Sequence, residues 1–223
     1  MKNTKGAIFD IDGTVIDSMQ TWDEVSEAFL RNKGITPPPD LNDQLREMGG
    51  YDIPLYFKDV YNIPDSTEKI AMTLKEMIKN RLEFHTPLKE GAVEVLAMLK
   101  EQGIKICAAT ASEREYVVPA LRRLGVIDYF ERVFTCYEEA TSKNCPEIYI
   151  TSAEFLGTDI SDTLVFEDAL YAIKSAKRAG FPVVGLYDFS SDNQQDEIKD
   201  WSDFYYTSLL DFEKDFRKLR DNS

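Results

Sequence analysis

The chain opens on a short apolar run, Ala7-Ile8-Phe9, that stops abruptly at Asp10 and Asp12 with Gly13-Thr14 behind them. So short a run of β-formers predicts a buried strand. The spacing then turns helical: Trp22, Val25, Ala28 and Phe29 share a face, and Gly34 suits the end of that helix. Pro37-Pro38-Pro39 bars its continuation. Asp40 is the expected N-cap of a short helix through Leu41, Leu45 and Met48. Gly49-Gly50 interrupts again, and Ile53, Phe57 and Val60 predict another short helix. Asp65 with Glu68 fits a capping pair ahead of Ile70, Leu74, Met77, Ile78 and Leu82. Residues 18–85 therefore read as wholly helical.

Beyond residue 86 strands and helices alternate. Val93, Leu96 and Leu99 predict a helix ending at Gly103, and residues 104–109 a strand. A helix over 112–124 follows, then a weak strand at 133–135 and a helix from Pro146 to Phe155. Residues 163–166 predict a strand, 169–179 a helix and 182–186 a strand. Trp201, Phe204 and Tyr205 suggest an edge strand, Leu209 to Leu219 a closing helix, and the acidic run near Asp196 a solvated surface. Such alternation predicts an α/β fold, a three-layer Rossmann-like core with a mostly parallel sheet. The lone first strand is separated from its sequels, so the expected domains are a core of residues 1–17 and 86–223 and an all-helical insert at 18–85.

The 223 residues and 43% hydrophobic content suit a folded chain of this kind. A formal net charge of −14 argues against nucleic acid and against anionic membrane surfaces as partners. Cys107, Cys136 and Cys145 make no paired framework, Cys107 reads as a core residue, and no apolar stretch reaches membrane-spanning length. The first strand begins almost at once, so no leader is expected. The expectation is a cytoplasmic protein, and a monomer, since no apolar stripe is left over.

The chemistry gathers at the carboxyl ends of the expected strands, where open α/β sheets bind ligands. Asp10 and Asp12, two apart in extended chain, share one mouth and repel unless a cation or proton intervenes. The second strand ends in Thr110-Ala111-Ser112, a hydroxyl and backbone N–H groups suited to a phosphate or simply to capping a helix. Lys143 precedes a helix, where a lysine is ordinarily solvated. Glu167-Asp168 closes another strand.

In order, these four junctions resemble the motifs of the haloacid dehalogenase superfamily of phosphohydrolases. Asp10-Ile11-Asp12-Gly13-Thr14 is similar to its first motif, and Lys143-Asn144-Cys145-Pro146-Glu147-Ile148-Tyr149 to its third, with Asn144 where a proline is usual. Glu167-Asp168 and the Ala172, Ala176, Ala179-Gly180 helix are similar to the fourth. A helical insert after the first strand matches the superfamily's first class of cap, as in its β-phosphoglucomutase and phosphoglycolate phosphatase branch.

The resemblance implies a Mg²⁺-dependent phosphatase acting on a small phosphorylated metabolite, a sugar phosphate or a phosphoglycolate-like compound, through an aspartyl-phosphate. It implies Asp10 as nucleophile, Asp12 as general acid and base, and Mg²⁺ held by Asp10, Asp168 and the backbone carbonyl of Asp12. Thr110, Ala111 and Lys143 would hold the phosphoryl group, with Glu167 behind the metal. Residues 15–18 and 84–87 would be hinges, and His85 a packing residue in the second. Trp22, Arg46, Gly49, Gly50, Tyr51 and Lys79 are candidates for substrate contact. The alternative is a sugar-phosphate mutase; the mutases resembled carry histidine twelve residues after the nucleophile, where this chain has Trp22. A receiver-like signalling domain would be shorter and lack the insert, and a non-catalytic phosphate binder fits poorly with a full set of motif residues.

Overall fold

A computed structural model describes residues 1, 3–46, 48 and 52–221. The chain divides into two compact units, Met1–Ser18 with Thr86–Ser223, and Met19–His85.

The larger unit is built on a six-stranded sheet: β1 (Gly6–Phe9), β2 (Lys105–Thr110), β3 (Val133–Thr135), β4 (Thr163–Glu167), β5 (Val183–Leu186) and β6 (Phe204–Tyr206). The spatial order is β3-β2-β1-β4-β5-β6, and every pairing is parallel. Parallel strands need crossovers that lay helices on both faces, which is why these strands read as continuous apolar runs. Chain order reverses between β1 and β4, so the crevice at their carboxyl ends is where such a sheet takes a ligand.

One face carries Ile8, Cys107, Phe134, Val165 and Val183 against Ile148, Tyr149, Ile173 and Ile198 of the covering helices. Burial there pushes the Cys107 thiol up to about 12. The other face carries Phe9 and Phe166, paired in register and stacked with ring centroids 4.0 Å apart, and Phe212 meets Phe166 edge-on. This pair locks the register of β1 on β4 one step before the chain reaches Asp10 and Glu167. A slip by one residue would send both carboxylates to the wrong face.

The smaller unit holds α1 (Met19–Asn32), α2 (Leu41–Arg46), α3 (Ile53–Val60) and α4 (Thr67–Phe84). Val25, Phe29, Leu41, Leu45, Phe57, Ile70 and Leu74 make a core of its own, with Phe29 and Phe57 stacked at 5.3 Å. The N-cap of α4 is Ser66, whose hydroxyl accepts from the Lys69 N–H at 3.3 Å, and not the expected Asp65. Asp65 instead bonds Lys33 and sits 2.7 Å from Lys69, which hold its carboxyl down at about 2. His85 caps the carboxyl end of α4 and is exposed.

The remaining helices are α5 (Ala92–Glu101), α6 (Arg114–Arg123), α7 (Glu147–Leu156), α8 (Leu170–Arg178), α9 (Gln195–Trp201) and α10 (Leu209–Asp221). The acidic run near Asp196 is solvated as expected, but it lies on the helix α9, and Trp201 ends that helix and stands outside the edge strand. No helix among the described residues is long and apolar enough to cross a membrane.

Candidate active site

Strand register builds the site. Phe9 pairs with Phe166, and the Asp10 N–H donates to the Phe166 carbonyl at 3.0 Å, so Asp10 leaves β1 beside Glu167. The chain then turns tightly: the Val15 and Ile16 N–H groups donate to the Ile11 carbonyl, and Gly13 sits at φ +84°. Gly13 is required on two counts, because a Cβ there would be strained and would run into the Asp168 carboxylate. Thr14 follows and donates its hydroxyl to Asp168 at 3.2 Å.

Asp10, Glu167 and Asp168 are all buried and each offers an oxygen within 4.8 Å of the others. Between them stands Lys143, only 3% exposed, whose ammonium donates to Asp10 and, at 2.6 Å, to Glu167. Lys143 is thus a core residue, although a lysine ahead of a helix is ordinarily solvated. The Tyr149 hydroxyl, from α7, donates to the same Glu167 oxygen at 2.7 Å, while Glu167 Oε2 is buried without a hydrogen-bond partner.

One lysine cannot balance this many buried acids. Burial pushes the Asp10 carboxyl well above its usual range, and Glu167, Asp168 and Asp12 push it further against Lys143. Asp168 is raised to about 7, first by burial and then by Glu167 and Asp188. Burial disfavours the Lys143 charge, but Asp10 and Glu167 hold it protonated far above the ordinary lysine range. An all-oxygen donor set with a negative excess and an unpartnered carboxylate oxygen fits a hard divalent cation such as Mg²⁺.

Asp12 stands apart from that cluster. Its two carboxylate oxygens accept from Ser18 at 2.6 Å and from Ser112 at 2.7 Å, so its side chain is fixed and its backbone carbonyl is what remains to offer a metal. Thr110 is fully buried at the end of β2, and its hydroxyl accepts from the Ser112 N–H at 3.0 Å. Ala111 beside it is exposed. Gly49, Gly50 and Tyr51 lie outside the described residues.

A family model described as haloacid dehalogenase-like hydrolase matches residues 4–180. The chain belongs to this family. Hexitol phosphatase B of Escherichia coli (strain K12) is 28% identical over 176 residues, 78% of the hydrolase and 79% of the relative. A phosphoglycolate phosphatase of Nitrosococcus oceani is 25% identical over 213 residues, covering 90% and 94%. A solved structure from Thermotoga maritima, provisionally described as a β-phosphoglucomutase, matches with a TM-score of 0.86 at 22% identity, covering 97% of the hydrolase and all of that chain, a likeness of fold.

Three residues in and around this site gave no sign of their partnerships in the hydrolase's sequence: Ser18, Ser112 and Asp188. Each is an ordinary helix or loop residue until the strand register is known. Ser112 was legible only as a possible cap, whereas α6 begins at Arg114 behind Glu113.

The raised carboxyls set a pH dependence. Asp10 and Asp168 bind a proton more tightly folded than unfolded, so metal-free hydrolase loses stability as pH climbs from about 4 through about 7. Melting in chelator should therefore fall over that interval. Saturating Mg²⁺, taking the protons' place, should raise the melting temperature more at the upper end than at the lower. A metal-free melting temperature that climbs across the interval contradicts the buried-carboxyl assignment.

Proposed function

We propose that the protein is a Mg²⁺-dependent phosphatase that hydrolyses a small phosphorylated metabolite, of sugar-phosphate or phosphoglycolate type, through an aspartyl-phosphate on Asp10. The observation that carries the reading is the buried Asp10 carboxylate, bonded by Lys143 and gathered with Glu167 and Asp168 where the sheet reverses its order. The substrate class rests on the relatives, a hexitol phosphatase and a phosphoglycolate phosphatase by name.

Asp10, Asp168 and the carbonyl of Asp12 would hold the cation, with Glu167 behind them. Bound Mg²⁺ supplies positive charge that offsets the repulsion between Asp10 and an incoming phosphate. The Asp10 carboxylate attacks phosphorus, the ester P–O bond breaks, and the departing alcohol oxygen takes a proton from Asp12. Water then attacks the phosphoryl group and gives its proton to Asp12, and the Asp10 carboxylate leaves. The bond Thr110 accepts from Ser112 leaves its own proton to donate to a phosphoryl oxygen, next to the Ala111 N–H. Lys143 sits against Asp10 before any substrate arrives, so it meets charge developing on the phosphoryl oxygens with no rearrangement. Ser18 and Ser112 hold Asp12 for both proton transfers. The helical unit would act as a cap that screens the site from bulk water.

Turnover of an aryl phosphate is the direct test, with and without chelator, followed by hexitol phosphates, sugar phosphates and phosphoglycolate. Mg²⁺-dependent release of inorganic phosphate supports the reading. Interconversion of sugar phosphates without net phosphate release would establish the mutase instead, and no turnover of any of them would reject both.

A further inference from the structure

Asp188 is a buried acid that no step of the proposed reaction uses. It lies just past β5 at the carboxyl edge of the sheet and is fully buried. Its Oδ1 accepts from the Ser190 N–H at 2.9 Å and the Ser190 hydroxyl at 2.7 Å, and its Oδ2 from Lys89 at 2.8 Å. Lys89 is fixed at both ends. Its backbone N–H donates to the Val15 carbonyl at 2.9 Å, and its ammonium also lies 3.6 Å from Asp17. Thr14, the residue that donates to Asp168, lines one cavity of about 190 Å³ with Asp17, Lys89 and Tyr187.

A pair sequestered like this is weak evidence for stability, because apolar side chains of similar volume commonly do as well. What apolar residues could not supply is charge beside the carboxylate cluster. Four buried acids, Asp10, Glu167, Asp168 and Asp188, face one buried lysine, Lys143, and one half-buried lysine, Lys89, which Asp17 also shares, so negative charge is in excess at this edge. Asp188 follows β5, which pairs in parallel with β4, so its carboxylate lies at the same edge of the sheet as Asp168.

We propose that Lys89 and Asp188 are positioning residues for the cation, a charge-matched pair that sets the strength of the negative field around Asp10 and Asp168. The inference rests on the reading that those two aspartates hold Mg²⁺. Without Lys89 the negative excess grows and the cation binds more tightly. Without the Asp188 charge it shrinks and the cation binds more weakly. Removing both restores the balance.

Calorimetric titration of the whole protein with Mg²⁺, in the absence of substrate, tests this without reference to turnover. Lys89→Met should tighten Mg²⁺ binding about tenfold and Asp188→Asn should weaken it about tenfold, a modest fraction of what a unit charge exerts at short range. The double variant should return to within about threefold of wild type, because the two effects cancel. Lys89→Arg should bind as wild type does. A purely structural pair would move both single variants in the same direction or neither, and either outcome overturns the proposal. Should Lys89→Met fail to fold, the double variant must still bind about tenfold more tightly than Asp188→Asn, and equal affinities would overturn it. Wild-type protein that binds no Mg²⁺ would overturn the metal reading and this one with it, whereas normal wild-type binding with same-sign shifts overturns this one alone.

Discussion

Asp10→Asn is expected to abolish turnover, by roughly 10⁴-fold or more, while leaving the fold intact. The amide oxygen is a poor nucleophile toward phosphorus, and no neighbouring carboxylate can replace it. Glu167 is engaged by Lys143 and Tyr149, Asp168 by Thr14, and Asp12 by Ser18 and Ser112. The fold should survive because asparagine keeps an oxygen for Lys143 and removes one charge from a cluster that already holds too many of one sign. Circular dichroism matching wild type and an unchanged or higher melting temperature in chelator would complete the result. Near-normal turnover by this variant would show that Asp10 is not the nucleophile.

Lys143→Met should do harm twice over. The lysine is the cation that bonds Asp10 and Glu167 directly, and with it gone three buried carboxylates face each other without it. Removing one partner of a buried ion pair costs about 3–5 kcal/mol, since the charge left behind has no solvent. In a domain of this size that is a drop of roughly 10 °C in melting temperature. Saturating Mg²⁺ should recover much of it by supplying the missing charge. It should not restore turnover, which is expected to stay about 10²–10³-fold down, because charge developing on the phosphoryl oxygens has lost its preorganised counterpart. A variant that melts with wild type in chelator would contradict the burial and pairing assigned to Lys143.

Much of this arrangement was legible in the chain. The strands that matter are short apolar runs cut off by Asp10, Thr110 and Glu167, and an apolar run that stops at a polar residue marks the sheet edge directly. The helical unit was legible because its apolar positions keep helical spacing between proline and glycine breaks. The partnerships were not. Lys143 is bonded to a residue 133 positions away, and its own loop singles it out only through the likeness of residues 143–149 to a family motif, which names no partner. Asp188 and Lys89 are 99 positions apart and meet because β5 and the chain re-entering the core end at the same edge. The helix α9 went unseen because its apolar content is slight, with Gln195 and Ile198 its buried positions. At α4 the capping pair Asp65 and Glu68 lost to Ser66, whose extended backbone at ψ 155° is what a cap requires.

The account depends on distant segments gripping one divalent ion. Crystals grown with Mn²⁺ in place of Mg²⁺ test it most directly, through the anomalous signal of the metal. One strong peak within coordination distance of both the Asp10 and Asp168 carboxylates is the predicted result. A site that is empty there, or a peak bound to acids elsewhere on the chain, would contradict it.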